Sequence, residues 1–330
     1  MALNTQRWFS IFSFLLLQPF AINKNKNTYV VVAAEEQNLF WESRSGYDGV
    51  GRHHPITFAN ETHGFLFSGS TSSSSTTLDF HMYEEISDTW FDLSSTVGES
   101  FPGSQISFGY GTVLNSPQHT KAYLGFGIDS TGARLSDWYS FDMATHSWTK
   151  LATFPGPGRR HPAVVPVKKK SSSDNPEWEI HVGLGDGYVS GSFSNFNDWW
   201  SYDVSSNVWT QNQDFPSSKR HHPFYFGLSD KSYTGFGHSR SFPYIERDWY
   251  MYDLEQGQWA RDTDFASYSI TTEGISNSTF QYSEQPVTTE ARVAGTQFSI
   301  ELPLVLNNDD GNDFFNFIRI VGFCAEWRWR

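Results

Sequence analysis

Aromatic and polar residues alternate with a period of two in several short stretches, the pattern of strands that present different faces to different surroundings. Trp138-Tyr-Ser-Phe-Asp142 shows it most clearly, and three sisters match it: Phe80-His-Met-Tyr83, Trp199-Trp-Ser-Tyr-Asp203 and Trp249-Tyr-Met-Tyr-Asp253. An aspartate precedes each (Asp79, Asp137, Asp198, Asp248), and a tryptophan follows that aspartate by 11 residues every time: Trp90, Trp148, Trp209 and Trp259. Upstream of each lies an apolar stretch closing on Gly69, Gly127, Gly185 or Gly237. A third signature, Arg-x-His-Pro, stands at Arg52/His54, Arg159/His161 and Arg220/His222, its histidine 13 residues after Trp41, Trp148 and Trp209. The repeat is therefore 50–61 residues long.

Turn-forming residues separate each aromatic strand from its tryptophan (Met143-Ala-Thr-His-Ser147, Val204-Ser-Ser-Asn-Val208), so the pair reads as a hairpin. Adding the glycine-ended strand and the one opened by Arg-x-His-Pro predicts four antiparallel strands per repeat. One such sheet cannot bury both faces alone. Stacking the sheets radially, with aromatics of one packed on the next, buries them and protects the edges, which is a β-propeller. No stretch of useful length carries a helical period.

A glycine-ended strand, an aromatic strand closing on Tyr/Phe-Asp, a turn and a spaced tryptophan together resemble kelch repeats, over residues 41–261, with Gly-x-Gly where the family has adjacent glycines. The resemblance implies an all-β kelch-type β-propeller of four-stranded antiparallel blades, a fold that hosts binding modules and enzymes alike. The first repeat departs from it in having Glu84 where its sisters have Asp142, Asp203 and Asp253, and Phe101-Pro-Gly-Ser104 lacks Arg-x-His-Pro. Residues 266–288 are Ser/Thr-rich and read as an insertion, and 289–330 as a degenerate blade or tail. There Asp313-Phe-Phe-Asn-Phe317 resembles the aromatic strand, but no tryptophan holds the required spacing. Trp41 reads as part of a closing strand from the N-terminus, and five or six blades are expected.

Composition then narrows the picture. The 29 Phe, 15 Tyr and 13 Trp make up 17% of the chain, and many fall at fixed repeat positions, so their abundance reports packing between blades. A net charge of −13 argues against a nucleic-acid partner. The single cysteine, Cys324, excludes an intrachain disulfide and a Cys-based zinc cluster. Kelch-like copper radical oxidases, the enzymes the resemblance brings in, need a cysteine cross-linked to a tyrosine; Cys324 lies in the degenerate segment, so no copper radical site is expected. Arg7 followed by an apolar stretch over 9–22, with Val32-Ala-Ala34 beyond it, reads as a secretory signal peptide covering 1–34. The mature domain, 35–330, is expected to carry no transmembrane segment, and the acceptors at Asn60 and Asn277 fit a secreted glycoprotein.

The repeated Arg52/His54, Arg159/His161 and Arg220/His222 pairs are the candidate ligand-binding groups, either as a ring of cations suited to a carboxylate or as ties between strands. Trp199 and Trp200 must point to opposite faces, and one of them is a candidate sugar-stacking platform. The adjacent histidines His53/His54 and His221/His222 point apart within a strand, so no metal site is expected. The chain has no Gly-x-Ser-x-Gly, phosphate loop or His-Glu-x-x-His; no catalytic residue is assigned and no cofactor is expected. The expected function is a secreted binding protein that recognises a protein or a carbohydrate with its propeller loops. The alternative is a carbohydrate-active enzyme, an epimerase or lyase on acidic sugars, acting through an Arg/His ring.

Overall fold

The alternation along the aromatic strands is realised as packing on two sides. In the strand Trp138–Asp142, Tyr139 and Phe141 join one apolar cluster while Trp138 joins another. In the strand Trp199–Asp203, Trp200 and Tyr202 share one cluster and Trp199 enters the next. A sheet with both faces apolar needs a neighbour on each, and that requirement sets the architecture.

The computed structural model describes residues 44–72, 75–114, 120–169, 177–228, 230–242, 244–261, 296–307 and 313–324. The chain divides into two units, Tyr47–Ala294 and, separately, Met1–Gly46 with Gly295–Arg330. Within the first lie four four-stranded antiparallel sheets, each built from one repeat. Their innermost strands are Ile56–Ala59, Tyr110–Val113, Ala163–Lys168 and Phe224–Leu228, and each packs on the next. Outward follow the glycine-ended strands, the aromatic strands and finally the tryptophan strands Thr89–Asp92, Ser147–Lys150, Val208–Gln211 and Gln258–Arg261. The fold is all-β and β-propeller-like; the one helical turn described is Ser94–Gly98. In the second unit Thr296–Asn307 pairs antiparallel with Asp313–Cys324 in a long hairpin. The expected leader, Trp41, the insertion at 266–288 and Asn277 lie outside the described residues.

Each repeated residue has a specific task. In Gly-x-Gly the first glycine faces an indole: Gly183 pairs with Trp199, and a Cβ there would sit 2.1 Å from the ring. The closing glycine, Gly127, Gly185 and Gly237 in this motif and Gly69 in the first repeat, where Phe67 stands in place of the first glycine, has φ of 85–95°, which only glycine adopts freely. Asp142, Asp203 and Asp253 each accept two backbone N–H groups of the following turn. The tryptophans tie sheets together. Trp148 donates its indole N–H to Val97 O (2.9 Å), Trp209 to Ala152 O (2.8 Å) and Trp259 to Gln213 O (3.0 Å), each acceptor belonging to the preceding repeat. In the first repeat Trp90 meets Tyr47 edge-on at 5.1 Å. No helix among the described residues is long and apolar enough to cross a membrane.

Candidate functional site

The Arg-x-His-Pro signature splits into two roles two residues apart. Arg52, Arg159 and Arg220 turn inward, with side chains 2%, 0% and 0% exposed, onto the aspartates that open the aromatic strands, Asp79, Asp198 and Asp248. Each also donates at 3.0 Å to the carbonyl just before the positive-φ glycine: Ser68, Leu184 and Phe236. Arg159 grips Asp198 with both Nη atoms, at 2.7 and 2.6 Å, and lies over the rings of Phe154 and Phe196. The three arginines thus pin the segment ahead of the innermost strand to the aspartate ahead of the aromatic strand of the same repeat, and the cation ring is not assembled from them.

The histidines do converge. His54, His161 and His222 have φ of 51°, 53° and 52°, a left-handed backbone that histidine tolerates better than most side chains. Phe108 holds the same place in the second repeat, with φ of 60°. Backbone bonds string the four together: Phe108 N–H donates to His54 O, His161 N–H to Phe108 O and His222 N–H to His161 O, at 3.2–3.3 Å. The rings gather at this pole, with His161 stacked on His222 at 3.5 Å and His54 centred 5.4 Å from His161 and 6.0 Å from His222. One ring nitrogen from each of the three lies within 4.8 Å of the other two.

Electrostatics keep these rings neutral. Burial first, and then neighbouring histidines, lower His54 and His221 to about 4 and hold His161 and His222 well below the ordinary histidine value; Arg160 adds to this at His54, His161 and His221, and Asp186 opposes it at His221 and His222. His161 Nδ1 lies 3.1 Å from Asp186, a fully buried carboxylate that also takes Arg160 Nε at 2.9 Å. Facing an acceptor, Nδ1 carries the proton and Nε2 keeps its lone pair. That Nε2 is buried without a hydrogen-bond partner, as are Nδ1 of His222 and Nδ1 of His221.

Arg160 connects this cluster to a surface rich in aromatics and arginine. The ribbon of Asp186–Val189 and Ser192–Asn195 carries Tyr188, 51% exposed, edge-on to Phe193 at 5.5 Å. Over Phe193 stand three guanidinium groups, Arg240 at 4.3 Å and Arg134 and Arg160 at 5.8 Å. Arg134 donates to Gly132 O at 2.7 Å and Arg240 to Phe193 O at 3.4 Å. Phe242 and Tyr244, 87% and 54% exposed, extend the same segment as Arg240.

Trp199 and Trp200 do take opposite faces, yet both are packed. Trp199 is fully buried, and Trp200 is partly buried with its N–H on Asp198 at 2.9 Å. Asn60 sits in the exposed turn after the first innermost strand, its side-chain oxygen accepting from Thr62 and His63 N–H. Reading neighbouring histidines within one repeat concealed the convergence of equivalent histidines across repeats. Tyr188, Phe193, Arg134 and Arg240 fell outside the repeated signatures altogether.

Fold and site together define an all-β, β-propeller-like protein with a histidine-lined pole bordered by arginine and aromatic side chains. No family model matches the chain, and no curated protein matches it. Among solved structures it is similar to YjhT, with 15% identity over 66% of this chain and 67% of that one and a TM-score of 0.47.

Proposed function

We propose that this protein is a secreted kelch-type β-propeller that binds an acidic carbohydrate at the surface formed by Arg134, Tyr188, Phe193 and Arg240. The observation that carries this reading is Phe193 under three guanidinium groups beside the exposed Tyr188. Aromatic rings offer flat apolar platforms to sugar C–H faces, and guanidinium forks match carboxylate or sulfate geometry. An enzyme acting through Arg52, Arg159 and Arg220 is disfavoured by their burial in ion pairs. Secretion and glycosylation at Asn60 belong to the same proposal and rest on the leader and the exposed turn.

A glycan array carrying uronic-acid, sulfated and neutral oligosaccharides tests it. The expected result is retention of acidic members only, with Arg240→Ala and Phe193→Ala each weakening binding about tenfold or more, the scale of one charge-assisted hydrogen bond. Equal retention of neutral sugars, or unchanged binding by both variants, overturns the reading.

A further inference from the structure

We propose that His54, His161 and His222 form a binding site for one divalent transition-metal ion, with Asp186 as the outer support of His161. This site is distinct from the carbohydrate surface and does not depend on it. Three observations carry it.

The donor atoms are already gathered. One nitrogen per ring lies within 4.8 Å of the others, whereas zinc–imidazole bonds of about 2.0–2.1 Å place tetrahedral ligands roughly 3.4 Å apart. Closing that gap needs about an ångström of ring movement together with rotation of His161 and His222 out of their stacked arrangement, so that their lone pairs converge, on a backbone already tied by the inter-repeat bonds. Nothing has to unfold.

The donors are prepared chemically. Neutral imidazole is the ligating form, and it binds through the ring nitrogen that keeps its lone pair. His161 is 2% exposed, yet its Nε2 has no partner, and an unpaired buried polar atom is costly unless something supplies the missing interaction. The carboxylate of Asp186 at Nδ1 is the arrangement by which metal-bound histidines are oriented and made more basic.

The backbone alone does not explain the histidines. Phe108 adopts the same left-handed conformation in the second repeat, so the geometry belongs to the repeat and the imidazoles are a choice made in the other three. A set of three neutral imidazoles suits zinc, copper or nickel, and leaves a coordination position for water or an anion. The net dipositive charge stands beside the buried Asp186 carboxylate, which offsets part of the repulsion from Arg160.

The test uses the full chain, made without a polyhistidine tag, stripped with chelator and then titrated separately with zinc, copper and nickel salts. Expected are one ion per chain retained through gel filtration, by elemental analysis, and a melting temperature raised by that ion. His54→Asn and His222→Asn keep a residue at ease with positive φ and should weaken affinity at least tenfold, while Asp186→Asn weakens it about 10–100-fold. His146→Asn makes the same change at a φ of 53° in a hairpin turn outside the cluster and leaves binding unchanged. Melting curves in chelator establish that each variant is folded. No retained metal in the native protein overturns the proposal. So does a folded His54→Asn or His222→Asn that binds as tightly as the native chain.

Discussion

Replacing Asp198 by asparagine isolates the contribution of the buried arginine pins. The carboxylate takes both Nη atoms of Arg159 at 2.7 and 2.6 Å and the indole N–H of Trp200 at 2.9 Å. Asparagine has nearly the same shape, but its amide turns a donor toward a donor and leaves the guanidinium, 0% exposed, without a counter-charge. Breaking a buried pair from one side costs about 3–5 kcal/mol, because the surviving charge is stranded. Asp198 is itself 18% exposed, so solvent relieves some of this and the lower end applies. Urea denaturation followed by tryptophan fluorescence should then show about 3 kcal/mol lost, or roughly 6–12 °C in melting temperature for a unit of this size. The same pair makes stability depend on pH. Burial raises the Asp198 carboxyl, but the charge and hydrogen bonds of Arg159 outweigh that and leave it below the usual carboxylate range. A depressed folded-state value gives stability that is present above the unfolded value of about 3.9 and lost as pH falls through the folded one. Asp198→Asn should therefore flatten part of the acid limb of the stability curve. A loss below about 1 kcal/mol, or an unchanged acid limb, would refute the role given to the pin.

Further predictions follow from the same repeat. Gly185→Ala forces a Cβ to 2.6 Å from Arg160 O at a φ of 92° and should cost more than about 2 kcal/mol, whereas Gly191→Ala, at a φ of 78° with open space, costs only the strain of about 1–2 kcal/mol; chemical denaturation separates the two. Trp209→Phe removes the N–H that reaches Ala152 O in the preceding repeat and should lower stability by about 1 kcal/mol, measured by the urea midpoint. Asp203→Ala loses two backbone N–H partners and Lys169, and should cost about 1–2 kcal/mol; Glu84→Ala, whose carboxylate bonds only the Ser87 hydroxyl and sits near His63, should stay within about 0.5 kcal/mol in the same assay.

How far the structure could be read beforehand depends on what each residue does. The glycines, turn aspartates and tryptophans act within one repeat or toward its neighbour, so equal spacing points to related tasks, although Trp90 meets Tyr47 where its three counterparts bond the preceding repeat. The direction of Trp199 and Trp200 followed from the pleat, but their burial did not, because it depends on the sheets either side. The arginines stood open between a channel role and a tie. The aspartate that decides for the tie is 27–39 residues away along the chain. Phe108 carries no Arg-x-His-Pro to align it, so the string of four left-handed residues was invisible. Tyr188 and Phe193 lie in the longest of the four glycine-to-aspartate intervals, where repeat logic says nothing.

The two halves of Arg-x-His-Pro explain each other. An arginine buried on its aspartate and on a strand-end carbonyl fixes the loop from below, and the residue two positions on has positive φ and faces its counterparts from other repeats, as Phe108 does without such an arginine. A purely structural loop has no need of a histidine there, since Phe108 completes the same chain of backbone bonds with an apolar ring. Imidazoles at this pole bring an opposing cost. Nε2 of His161 and Nδ1 of His222 are taken from water and given no partner, at about 1–3 kcal/mol for each such group. A fold that carries this deficit is more stable whenever a ligand supplies the missing bonds, by RT ln(1 + [L]/Kd) for a ligand that binds only the folded chain. The cluster is therefore best understood as a binding site held ready by the repeat, with the arginines supplying rigidity and the histidines the chemistry.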